Sequence, residues 1–148
     1  MRIADIMTAP VVTADVGATL REVAELMRDR NVGSVVVCEQ GVPVGVITDR
    51  DLALIVVADG VDAGQQVGGL ATRPLISGHE DMELEEAAAL MIQHRIRRLP
   101  VVREQELVGI VTIDDVAVRA GDLNVAHEIT AEVARAALPE FYFHQRGG

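Results

Sequence analysis

Residues Ile3–Ala58 can be written over Val67–Asp122 at an offset of 64, without a gap. Thr8 then falls on Thr72, Pro10 on Pro74, Leu20 on Leu84 and Glu22 on Glu86. Ala24, Leu26 and Met27 fall on Ala88, Leu90 and Met91, and Val37 on Val101. The match is tightest in one short device. GVITDRDL (Gly45–Leu52) recurs as GIVTIDDV (Gly109–Val116), keeping Gly, Thr and Asp at the same spacing. Self-similarity of this kind marks a tandem duplication, so one supersecondary unit has to serve twice.

The periodicity of each copy predicts its elements. A short extended piece (Val11–Thr13; Leu75–Ser77) precedes a helix with apolar residues at helical spacing: Leu20, Val23, Ala24, Met27, then Leu84, Ala87, Ala88, Met91. Thr19 with Glu22 reads as a capping box. Two β-rich runs follow, Ser34–Cys38 with Val44–Ile47 and Leu99–Arg103 with Leu107–Val111, joined by turns at EQGVP and EQE. A second helix begins at Asp49 and at Ile113. Each copy is thus β-α-β-β-α, an α/β (α+β) unit. One copy would leave an apolar sheet face exposed, so two packed with pseudo-twofold symmetry form the expected folding unit, with two equivalent clefts between them. The expected organisation is repeat 1 over 1–58, a Gly-rich linker over 59–66, repeat 2 over 67–121, and a C-terminal helix with an aromatic tail over 122–148.

Composition narrows the functions open to such a chain. With 148 residues and 49% hydrophobic content it can bury a real core. Its 23 acidic residues against 13 basic ones, all arginine, give a net charge of −10, which disfavours a nucleic-acid partner. The longest apolar stretch, Leu52–Ala58, is far too short to span a bilayer, and MRIADIMTAP lacks a signal-peptide core; a cytoplasmic protein with no membrane partner is expected. The lone Cys38, in VVVC, reads as a buried structural thiol. The only aromatics are Phe141, Tyr142 and Phe143, so a planar ligand would have to sit between aliphatic side chains. Four histidines without metal-ligand spacing, and no P-loop, G-x-S-x-G or G-x-G-x-x-G, predict neither catalysis nor a metal site.

DIMTAPVVTA, RNVGSVVVCEQGVPVGVITDRDL and HRIRRLPVVREQELVGIVTIDDV together resemble a tandem pair of cystathionine β-synthase (CBS) domains, a Bateman module, over about Ile3 to Gly121. The resemblance implies a stand-alone, non-enzymatic regulatory module, often dimeric, that signals to a protein partner in trans; arginine without lysine, with abundant alanine and valine, points to a GC-rich bacterial genome. The resemblance further implies binding of an adenosine-containing ligand in the inter-repeat clefts: AMP, ADP, ATP or S-adenosylmethionine, with no covalent cofactor. Carried onto matching positions, the first cleft would use Thr48 and Asp51 with Arg50 for phosphate. The second would use Thr112 and Asp115 with Arg97 and Arg98. Val12, Val35, Ile76 and Leu99 are the implied adenine walls. The chemistry suits the parts: a carboxylate accepts from two vicinal hydroxyls, and a helix start beside Arg attracts an anion.

A simpler reading stands beside that one. Thr48 with Asp51, and Thr112 with Asp115, are each a capping box opening a helix. On that reading the chain is a ligand-free dimeric scaffold. The copies also differ: Asp114 replaces Arg50, Gly33–Ser34 replaces Arg97–Arg98, and Val36 stands where the family pattern has the Pro that Pro100 supplies. An added carboxylate repels phosphate, so the second cleft is expected to favour a less anionic ligand unless Asp114 faces solvent. Asp122–Leu138 reads as a helix stopped by Pro139, and the FYF tail as a dimer contact.

Overall fold

The computed structural model describes residues 1–133, and the FYF tail lies outside the described residues. The chain alternates short strands and helices: β1 Thr13–Asp15, α1 Leu20–Arg30, β2 Ser34–Glu39, β3 Val42–Thr48 and α2 Asp49–Leu52 in the first half. The second half repeats this with β4 Gly78–His79, α3 Leu84–His94, β5 Arg98–Arg103 and β6 Glu106–Thr112. Helix α2 widens into a π-helical stretch over Ala53–Ala58, and its counterpart runs over Asp115–Arg119. A last helix, α4, starts at Leu123 and is still helical at Val133.

Two three-stranded sheets result, ordered β1-β2-β3 and β4-β5-β6. β1 runs parallel to β2 with Thr13 opposite Val36, and β4 runs parallel to β5 with Gly78 opposite Val101. β2 and β3 are antiparallel, with Ser34 opposite Thr48 and a bulge between Val37 and Cys38. Gln40 and Gly41, both at positive φ (50° and 81°), make the tight turn between them. The leading strands lie two or three residues later than the periodicity predicts, because Val11, Val12 and Ile76 precede the paired positions. Cys38 is half-buried rather than buried, at the end of β2 opposite Asp15.

The compact units are drawn differently from the sequence repeats. One gathers Met1–Ala9, Ile76–Glu104 and the chain from Val108; the other is Pro10–Leu75 with Gln105–Leu107. The opening segment of each repeat therefore packs with the body of the other. Ile3 and Ile6 sit in one core with Leu84, Met91, Leu99, Val111 and Ile129. Val67, the counterpart of Ile3, is fully buried in the other core with Leu20, Val23, Val35, Val37 and Ile47. The Gly-rich linker is correspondingly not a free tether. Its backbone receives hydrogen bonds from the start of α1, Leu20 N–H to Gln65 O at 3.0 Å and Arg21 N–H to Ala63 O at 2.9 Å.

Candidate functional site

Each T-x-x-D device sits where an antiparallel strand becomes a helix. In the unit Pro10–Leu75, Thr48 ends β3 in extended backbone and Asp51 lies in the first turn of α2. The two groups cap each other: Asp51 N–H donates to Thr48 Oγ1 at 3.1 Å and Thr48 N–H donates to Asp51 Oδ2 at 2.9 Å. Asp49 N–H donates to Gly33 O at 3.0 Å, which fixes the helix start against the entry to β2. Val36 N–H donates to Val12 O at 3.2 Å, bringing the leading segment alongside. Thr48, Asp51, Arg50, Val12 and Val35 therefore converge on one end of one sheet.

The second device, in the other unit, has the same backbone. Asp115 N–H donates to Thr112 Oγ1 at 3.2 Å, and Thr112 N–H to Asp115 Oδ2 at 2.9 Å. Ile113 N–H donates to Arg97 O at 3.1 Å, placing Arg97 and Arg98 beside the helix start. Asp114 is exposed, as is Arg50 at the equivalent position of the first device. Both capping boxes thus form as the spacing predicts.

The surroundings of the two carboxylates differ. Asp51 is half-buried, and among the described residues its Oδ1 receives no hydrogen bond. Asp115 is only 6% exposed. Thr8 Oγ1 donates to Asp115 Oδ1 at 3.1 Å, Thr112 Oγ1 reaches Oδ2 at 3.2 Å, and Arg119 Nε stands 3.5 Å from Oδ1. Arg119 also donates from Nη1 to Met7 O at 3.0 Å. The residue equivalent to Arg119 in the first repeat is Ile55, which cannot pair with a carboxylate. Thr8 and Arg119 are the site residues that motif reading missed. The mismatch of Arg119 with Ile55 in the repeat alignment was the available signal.

The adenine-wall candidates separate by exposure. Val12 and Ile76 are half-buried and present surface, whereas Val35 and Leu99, at 1% and 0% exposure, are sealed into their cores. Arg50 and Arg97 are exposed and Arg98 is half-buried. Among the described residues none of the three forms an ion pair, so each can meet an anion. No group of three or more His, Cys, Asp or Glu among the described residues could hold a metal. No helix among them is long and apolar enough to cross a membrane.

This geometry agrees with what the chain is similar to. The CBS domain model matches twice, over residues 3–58 and 67–120, and the chain belongs to the family of CBS-domain proteins. The CBS domain-containing protein YhcV of Bacillus subtilis is 47% identical over 114 residues, covering 77% of this chain and 81% of that protein. The CBS domain protein PAE2072 of Pyrobaculum aerophilum, solved in complex with AMP, superposes with a TM-score of 0.75 at 28% identity, over 88% of this chain and 99% of that one. The CBS domain pair of protein MJ0100, solved with 5-methylthioadenosine and S-adenosyl-L-methionine, gives a TM-score of 0.72 at 28% identity, over 82% and 96%.

Proposed function

We propose that this chain is a regulatory module that binds an adenosine-containing ligand and passes its occupancy to a protein partner in trans. The observation that carries the reading is the Asp51 carboxylate. Its Oδ2 is held by Thr48 N–H at 2.9 Å while Oδ1 stays open to accept from a ribose hydroxyl. Arg50 stands one residue away for phosphate, and Val12 offers an aliphatic face for a base. The relatives solved with AMP and with S-adenosyl-L-methionine support the ligand class. Binding becomes a signal only through a difference in affinity between two arrangements of the chain. A homodimer is the assembly proposed for it.

Calorimetric titration with AMP, ADP, ATP and S-adenosylmethionine tests this. Saturable binding in the micromolar range that Asp51→Ala abolishes supports it. Heat-silent titrations across the set, from folded protein stripped of nucleotide, would instead favour a second reading. The complete capping boxes at both devices are that reading's own observation: a ligand-free interaction scaffold needs nothing more from Thr48, Asp51, Thr112 and Asp115.

A further inference from the structure

The Asp115 carboxylate is only 6% exposed and is engaged within its own unit by three hydrogen bonds and an ion pair, which leaves little of it for a ribose to reach. A carboxylate gripping two vicinal hydroxyls must turn an oxygen toward them. Asp115 Oδ1 already receives Thr8 Oγ1 at 3.1 Å and faces Arg119 Nε at 3.5 Å, and Oδ2 receives the Thr112 N–H and hydroxyl at 2.9 and 3.2 Å. In the equivalent unit the Thr48 N–H bond to Asp51 Oδ2 is kept, but among the described residues Oδ1 has no counterpart of the Thr8 and Arg119 contacts. Thr72 holds the place of Thr8 and makes the same backbone bridge, Thr72 N–H to Val46 O at 2.9 Å against Thr8 N–H to Ile110 O at 2.8 Å. Yet among the described residues the Thr72 hydroxyl makes no bond to Asp51, and Ile55 replaces Arg119.

From this we infer that the chain has one ligand site, at Asp51, and that Asp115 is a latch. Arg119 and Thr8 close the second locus from within: Arg119 pairs with the carboxylate and donates to Met7 O at 3.0 Å, and the Thr8 hydroxyl occupies Oδ1. Arg119 is therefore a specificity-determining residue, setting the stoichiometry and fastening the Met1–Ala9 segment to its unit. The one-site half of this inference rests on the adenosine-ligand reading; the latch half does not.

Two measurements on the full chain separate them. Hydrogen exchange without ligand reads the latch. Thr8→Val and Arg119→Ile should each speed exchange of the Thr8 amide about tenfold, the loss expected for a hydrogen bond to a charged group. Thr72→Val, the internal control, should leave the Thr72 amide unchanged. Unchanged exchange in both Thr8→Val and Arg119→Ile overturns the latch. Titration with AMP and with S-adenosylmethionine reads the site count. One ligand per chain, lost in Asp51→Asn and kept in Asp115→Asn, with a second equivalent gained in the Thr8→Val/Arg119→Ile double variant, supports it. Two ligands per wild-type chain, or binding that survives Asp51→Asn and fails in Asp115→Asn, overturns it. Silence of wild type and double variant alike overturns the adenosine reading and the one-site claim together, while the exchange data still decide the latch.

Discussion

The two carboxylates, equivalent in sequence, are asked to do different work, and stability measurements should separate them. Asp51→Ala removes one capping acceptor from a half-buried helix start, a loss of about 1 kcal/mol. Asp115→Ala strands the Thr8 and Thr112 hydroxyls and leaves Arg119 with only its bond to Met7 O, a loss of about 2–3 kcal/mol. Urea unfolding of the two variants checks the order; equal losses would mean that Thr8 and Arg119 contribute nothing. Cys38 gives a second residue-scale test. Burial, and then the charge of Asp15 opposite it, push its thiol pKa up. Thiolate is the reacting form, so alkylation near pH 8 should run several-fold slower than that of free cysteine and quicken in Asp15→Asn. An alkylation rate equal to that of free cysteine would put Cys38 outside the pocket that raises its pKa.

At the scale of elements, the leading segments pass so close to the central strands that glycine is required at one point in each unit. A Cβ on Gly45 would meet Thr72 O at 2.8 Å, and one on Gly109 would meet Met7, with Cγ at 2.8 Å and Sδ closer still. The obstacle at Gly45 is backbone, already bonded to Val46 N–H at 3.2 Å; that at Gly109 is a flexible thioether. Gly45→Ala should therefore cost about 2–3 kcal/mol and Gly109→Ala about 1 kcal/mol, read from denaturant midpoints. A reversed order would show that the Met7 segment is the more rigid one. These same segments mark what the sequence could reveal. Helical spacing placed α1 and α3, alternation placed the hairpins, and the T-x-x-D spacing placed both caps, because each is a local pattern. The exchange of Ile3 and Val67 between repeats was illegible, since an apolar residue at the head of a repeat fits either core. Thr8 reaches Asp115 across 107 positions, and no spacing rule spans that distance.

At the scale of the whole molecule, aliphatic side chains remain exposed in both units. Leu54 and Val118 occupy equivalent positions in the two repeats and are 47% and 79% exposed; Val57, further along the first stretch, and Leu123, at the start of α4, are 82% and 70% exposed. Scattered exposed aliphatics are ordinary on a protein surface. The Leu54/Val118 pair recurs at one position of a duplicated element, where a solvent-facing helix position carries no pressure to stay apolar. A second copy of the chain is the occupant that a homodimer would bring, and a twofold contact presents the same patch from both sides. If so, light scattering at micromolar concentration should give twice the chain mass, and Leu54→Glu or Val118→Glu should return it to the monomer with unchanged circular dichroism. The acidic net charge of −10 adds a salt term: two such chains repel, so the dimer should tighten as ionic strength rises. A wild-type monomer across that salt range would remove the dimer from the proposal. The ligand titration could still succeed, and signalling would then run through single chains.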